Sequence, residues 1–290
     1  MHPDMHRRTT LRALVVTASM LATMVAPAAA IDGRTPISQS RAATGHVTPG
    51  DAPGFPVTIS KAGSYVLTGN LTVPNSNTTA IEITADDVTL DLNGFSILGP
   101  TVCVGGQGGL CPGTGHGVVA SDVDNVTVVN GTVRGMGRHG IVLAGVGNRV
   151  ERVHARNNGE IGIGAGPVAT ITNNRATDNG GDGIWTGSGS VVAGNAVFRN
   201  LGNGVATNPG TAVTGNAAFL NTGSGISAKI AALVIGNMAY RNTDFGLEAG
   251  GWTGYSQNAF VLNNNNVGVQ VSGGAINGGQ NVCGTDAVCP

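Results

Sequence analysis

Arg156, Asp178, Arg199, Leu220 and Arg241 follow one another at steps of 22, 21, 21 and 21 residues, and Phe198, Phe219 and Tyr240 each stand one place ahead of a member of that series. Arg134 lies near the same corner one step earlier. A guanidinium grips a carboxylate through two parallel N–H donors, and an aromatic ring offers a flat apolar face. Arginines beside stacked rings therefore suit a chain of acidic sugars, with Arg156, Arg199, Arg241, Phe198, Phe219 and Tyr240 as substrate-binding residues. The plainer expectation is that Asp178 bridges Arg156 and Arg199 while the rings stack on one another.

Three further sets recur at comparable steps. Arg138, His139, Glu160 and Asp182, with His116, Asn203 and Asp244, fall along one line of turns. A histidine near two carboxylates is equipped for general acid–base work, so the first four are the catalytic candidates; a solvated turn edge is the alternative. Trp185, Ser227, Lys229, Glu248 and Gln270 are expected outward on one face, with Trp185 as a sugar platform and Lys229 as a cation or base in the substrate-binding set. Asp86, Asp87, Asp122 and Asp124 cluster in early turns. Asp86 and Asp124 are the calcium candidates, although acidic residues also open ordinary turns. No other metal or cofactor is implied.

The elements that must position these residues are legible as a repeat. A glycine followed by an aliphatic residue returns at Gly117, Gly140, Gly162, Gly183, Gly204, Gly225, Gly246 and Gly268, at steps of 21 to 23 residues. Asparagine recurs twelve residues later, from Asn174 to Asn258, and seventeen later, from Asn157 to Asn263. Self-similarity at this period marks a solenoid. Each unit holds short apolar runs broken by Gly, Asn, Asp and Ser, with no apolar spacing of a long helix, so each unit reads as about three short strands. The fold class is all-β: a single-stranded parallel β-helix of about nine coils of 21–23 residues. Stacked coils sit about 4.8 Å apart, so equivalent residues form ladders, aliphatic inside and asparagine at the turns.

The stretch Ala85 to Ile97, with Asp86-Asp87-Val88-Thr89-Leu90-Asp91-Leu92-Asn93-Gly94, followed by the Asn and Gly-Ile units, resembles secreted bacterial right-handed parallel β-helix proteins of the pectate-lyase-like superfamily. The resemblance covers about residues 56–290. It implies a right-handed coil and points to lyases, epimerases and hydrolases of polysaccharides, but also to surface proteins without catalysis. Asn242-Thr243-Asp244 and Gly115-His116-Gly117 resemble polygalacturonase motifs. Their order is reversed, and the further acidic and basic motifs of that family are missing.

The ends fit an exported protein. Residues 1–30 carry Arg7, Arg8 and Arg12, an apolar stretch from Leu14 to Val25, and Ala28-Ala29-Ala30, the pattern of a signal peptide. The location expected is secreted or periplasmic. No later run is long and apolar enough to span a membrane. Residues 31–55 are proline-rich and expected as an extended lead-in, residues 56–290 as the β-helix domain, and residues 99–116 as a loop insertion. The four cysteines, Cys103, Cys111, Cys283 and Cys289, allow three pairings. The local pairs Cys103–Cys111 and Cys283–Cys289 are favoured because both segments are loop-like. Removing residues 1–30 leaves 12 basic and 15 acidic residues, a net charge of −3, which gives no support to a nucleic-acid partner. Yet residues 134–241 hold nine Lys or Arg against four Asp or Glu. The expected function is therefore an exported, monomeric β-helix that binds or processes an acidic polysaccharide as a lyase, epimerase or hydrolase. The competing expectation is a non-catalytic surface or envelope module.

Overall fold

A computed structural model describes residues 33–100, 113–266, 268–284 and 289. The signal peptide expected at 1–30 and the pairing of Cys103 with Cys111 lie outside the described residues. The described chain winds into a parallel β-solenoid with three faces. Face A stacks ten strands, from Val57–Ile59 to Val271–Gly273. The sequence spacing gives about nine coils; the Val57–Ile59 strand adds a rung ahead of the regular repeats. Faces B and C alternate along the chain and join through two eight-residue strands, Thr127–Arg134 and Arg149–Arg156, which turn the corner without a break.

Register follows the aliphatic ladder. Ile141, Ile163, Ile184, Val205, Ile226 and Leu247 pair rung to rung on face A. Face B turns Val150, Ile171, Val192, Val213, Val234 and Tyr255 inward; face C turns Val133, Ala155, Ala176, Val197, Ala218, Ala239 and Phe260 inward, and all are buried. The repeat glycine is there because the coils approach closely. A Cβ on Gly183 would lie 2.1 Å from Val197 Cγ1 and 2.7 Å from Asn200 Nδ2.

Two asparagine columns satisfy the backbone at the corners. Asn179, Asn200, Asn221, Asn242 and Asn263 are buried, and each side-chain carbonyl accepts from the backbone N–H and amide of the asparagine one coil earlier, as between Asn200 and Asn221. The rung before Asn179 is Asn158, not the expected Asn157. The coil from Gly140 to Gly162 is one residue longer than the four after it; the extra residue lies between Leu143 and Arg149, which pair with Ala165 and Thr170, so Asn157 falls in register with Asp178 and shares its left-handed conformation, φ 53°. Gln270 ends the column: it is buried, and its Oε1 accepts from the backbone and side-chain amides of Asn263. Its expected outward placement is thereby corrected.

Residues 31–55 are not simply extended. Thr35–Ile37 adds a strand beside Tyr65–Leu67, and Gln39–Thr44 forms a helix whose N-cap Ser38 accepts from the Arg41 N–H. Ile37 and Ala42 are fully buried in the core cluster, so this segment closes the first coil. At the other end Cys283 and Cys289 are disulfide-bonded, as expected.

Candidate functional site

Face C points the first and third residues of each strand outward. The third-residue column runs Arg134, Arg156, Thr177, Phe198, Phe219, Tyr240 and Val261. The first-residue column includes Thr132, His154, Arg175 and Ala196. The turn that follows carries Asp178, Arg199, Leu220 and Arg241, all with positive φ. Arg156, expected in that turn column, belongs instead with the aromatic column, displaced by the extra residue of its coil.

These columns enclose a depression of about 540 Å³ that spans five rungs, from Ser96 to Arg199, and includes Arg134, His154, Arg156, Arg175, Asp178 and Phe198. Arg199 and Asp178 form a two-pronged ion pair, Nε–Oδ1 2.7 Å and Nη2–Oδ2 3.0 Å. The Arg199 guanidinium also lies 4.4 Å from the centre of the Phe198 ring. Arg156 donates to the amide oxygen of Asn157 at 3.1 Å and has no ion pair among the described residues. The expected bridge from Asp178 therefore holds Arg199 and not Arg156. Arg134 and Arg175 have no ion pair among the described residues. Three guanidinium groups thus face the depression without a carboxylate of their own among the described residues, which gives its lining an excess of positive charge.

His154 sits among them, half-buried, with Nε2 3.0 Å from Thr177 Oγ1. Its pKa is held below the ordinary imidazole value, first by burial and then by Arg175 and Arg156, with Asp178 opposing. The ring is thus neutral at neutral pH and available to take a proton. His154 and Arg175 were missed in the sequence because each sits two places before its rung's corner residue. Lining up the inward column of Ala155, Ala176 and Val197 would have put both on the arginine face.

The aromatic column continues the groove toward the later coils. Phe219 and Tyr240 meet edge to face, centroids 6.3 Å apart, and the Arg241 guanidinium lies 5.2 Å from the Tyr240 centroid.

The other expected sets come together only in part. Arg138 Nε and His139 Nε2 both reach Glu160 Oε2, at 3.1 and 3.2 Å. His139 Nδ1 accepts from the Ile161 N–H at 3.2 Å, so both ring nitrogens are engaged. Asp182 does not join them: it lies one rung beyond Glu160, its Oδ1 accepts from the backbone and amide of Asn203, and burial raises its pKa. Trp185 points outward on face A between Gly164 and Ala206, away from the arginine groove. Ser227 is buried and donates to Glu248 at 3.0 Å, while Lys229 is exposed in the following turn. Trp185 and Lys229 thus do not belong to one site with the arginines. Asp86 Oδ1 accepts from the Asp124 N–H and Asp124 Oδ1 from the Val146 N–H, so these carboxylates cap turns. Among the described residues no three His, Cys, Asp or Glu side chains gather into a cation site.

Comparison with known proteins bears on the fold. A family described as "Right handed beta helix region" matches residues 116–281. No curated protein matches the sequence significantly. Among solved structures, a double mutant of the periplasmic alginate epimerase AlgG superposes with a TM-score of 0.55 at 12% identity, over 85% of this chain and 72% of that one. The A-module of mannuronan C-5 epimerase AlgE4 from Azotobacter vinelandii gives 0.45 at 11% identity, over 88% of each chain. Pectate lyase Pel9A gives 0.42 at 14%, over 81% and 75%. Among the described residues no helix is long and apolar enough to cross a membrane.

Proposed function

The chain belongs to the right-handed β-helix family, and from that premise we propose that it is an exported protein that binds an acidic polysaccharide along face C and acts on it by removing the proton next to a carboxylate. The observation that carries this reading is the groove of Arg134, Arg156 and Arg175 around a neutral His154. A uronate carboxylate seated on the free guanidiniums gives up charge into them, which acidifies the carbon beside it. His154 is the base that takes that proton. Return of a proton from the other side is epimerisation; loss of the group on the neighbouring carbon is lyase chemistry. Hydrolysis is the least suited of the three, because it calls for two carboxylates across the bond, and the groove lining offers Asp178 alone, already paired with Arg199. An acidic glycan is also the material in the name of the alginate epimerase whose coils superpose.

The test is incubation with polygalacturonate and with alginate in D2O. Binding is followed by affinity electrophoresis, deuterium at the carbon beside the carboxylate by NMR, and the double bond of an elimination product by ultraviolet absorbance. The expected result is binding with either deuterium uptake (epimerisation) or an unsaturated product (lyase), and a His154→Gln variant that binds but gives neither. Binding with neither in the native protein would leave the non-catalytic module. No binding of any polyuronate by a folded protein would overturn the reading.

A further inference from the structure

Beyond the cationic pocket, face C changes character. The rung of Ala217–Phe219 with Leu220 carries no charge, and Leu220 is 43% exposed where Arg199 and Arg241 stand one rung to either side. The next rung adds Met238, 44% exposed, beside Tyr240. Phe219 and Tyr240 are half-buried, with their rings set edge to face. This apolar platform runs directly on from Phe198, which lines the pocket, in the same outward column.

We infer that the platform binds uncharged sugar units of the same glycan, so that the ligand is an acidic polysaccharide in which esterified or neutral residues neighbour the charged ones. The inference rests on the reading of the groove as a polyuronate site. A carboxylate over Phe219 would lose water against apolar side chains without a free guanidinium on its own rung. Arg199, on one side, is held by Asp178, and Arg241, on the other, lies over the Tyr240 ring. A sugar without charge loses nothing of the kind there. Its C–H face gains contact with the rings and with the exposed Leu220 and Met238. Coils stack at about 4.8 Å, close to the length of one sugar in an extended chain, so successive units fall on successive rungs. Acid units then occupy the rungs from Arg134 to Arg175 and an uncharged unit the rung of Phe219 and Leu220.

The test compares binding of three galacturonans on the whole protein: free of ester, methyl-esterified at an intermediate level in blocks, and fully esterified. The native protein should bind the intermediate form roughly tenfold more tightly than the ester-free form, and the fully esterified form least. A variant with Phe219→Thr and Leu220→Asn should lose that preference, binding the ester-free and intermediate forms alike. Threonine already stands in this column at Thr177, and asparagine tolerates the positive φ of 54° at position 220, so the variant keeps the fold. Arg175→Gln should weaken both acidic forms. Equal binding of the first two forms by the native protein, or a preference that survives the double substitution, would overturn this inference and leave the groove reading standing. If no acidic form binds, the groove reading fails, and this inference fails with it.

Discussion

His139 accepts a backbone N–H at Nδ1, so its proton sits on Nε2, where it is donated to Glu160. A second proton would turn Nδ1 into a donor facing the Ile161 N–H. Its pKa is low, about 4, chiefly through burial, with Glu160 opposing and His116 and Arg138 adding to the depression. The unfolded chain binds this proton near 6.5 and the folded chain only near 4, so stability is complete above about 6.5 and declines as the pH falls toward 4. The expected loss is on the order of 2 kcal/mol. In urea unfolding between pH 7 and pH 4, His139→Gln should show a shallower decline than the native protein. Identical slopes would mean that this ring is not held neutral by the fold. His154 lies among cations on the groove face and His139 is locked in a turn, and residue type alone did not separate them. The backbone contact that ties down His139 comes from Ile161, a residue with no chemistry of its own.

At the scale of one coil, the ladders fix which side chains share a column. Asn158 is fully buried, accepts from the Met136 N–H, and gives its amide to Val133 O and Asn179 Oδ1. Truncation to alanine leaves a backbone donor and a backbone acceptor unpaired in the core. Asn158→Ala should therefore cost on the order of 2–4 kcal/mol. Asn157→Gly, at a left-handed position outside the column, should change stability by less than about 1 kcal/mol. Chemical unfolding of the two variants decides the register, and a larger loss for Asn157 would reverse it. The fold was legible because Gly, aliphatic and Asn positions recur with the stacking itself. The columns around the groove were less so. One added residue between Gly140 and Gly162 moved Arg156 and Asn157 by a place, and fixed spacing from the repeat glycine carried that slip into the expected corner. Gln270 was misplaced for a related reason: at the end of a ladder the next asparagine is missing, and a longer amide from the same coil turns inward to replace it.

Over the whole molecule, stability is close to a sum of neighbouring-rung terms, and the two ends are the weak points. The first coil is closed by the strand and helix at 35–44, which put Ile37 and Ala42 into the core. The last coils are filled differently. The last rung but one of faces B and C carries the large buried side chains Tyr255 and Phe260, 6.3 Å apart, where the three rungs before it have valine and alanine. Cys283 pairs in register with Phe260 and is itself buried, and the bond to Cys289 ties the chain back across that rung. A loop with a sequence separation of 6 confers about 2 kcal/mol when closed. That contribution belongs to the final rung, not to the column as a whole. Hydrogen exchange with and without reductant should therefore show faster exchange for amides at 254–284, while the strands from Thr127 to Ala228 keep their protection. The groove at Arg134–Arg199 lies in the protected part, so polyuronate affinity should be the same in both conditions. Loss of protection spreading evenly along the coils would show a single cooperative unit in place of nearest-neighbour stacking, and the closed end would then bear on the groove after all.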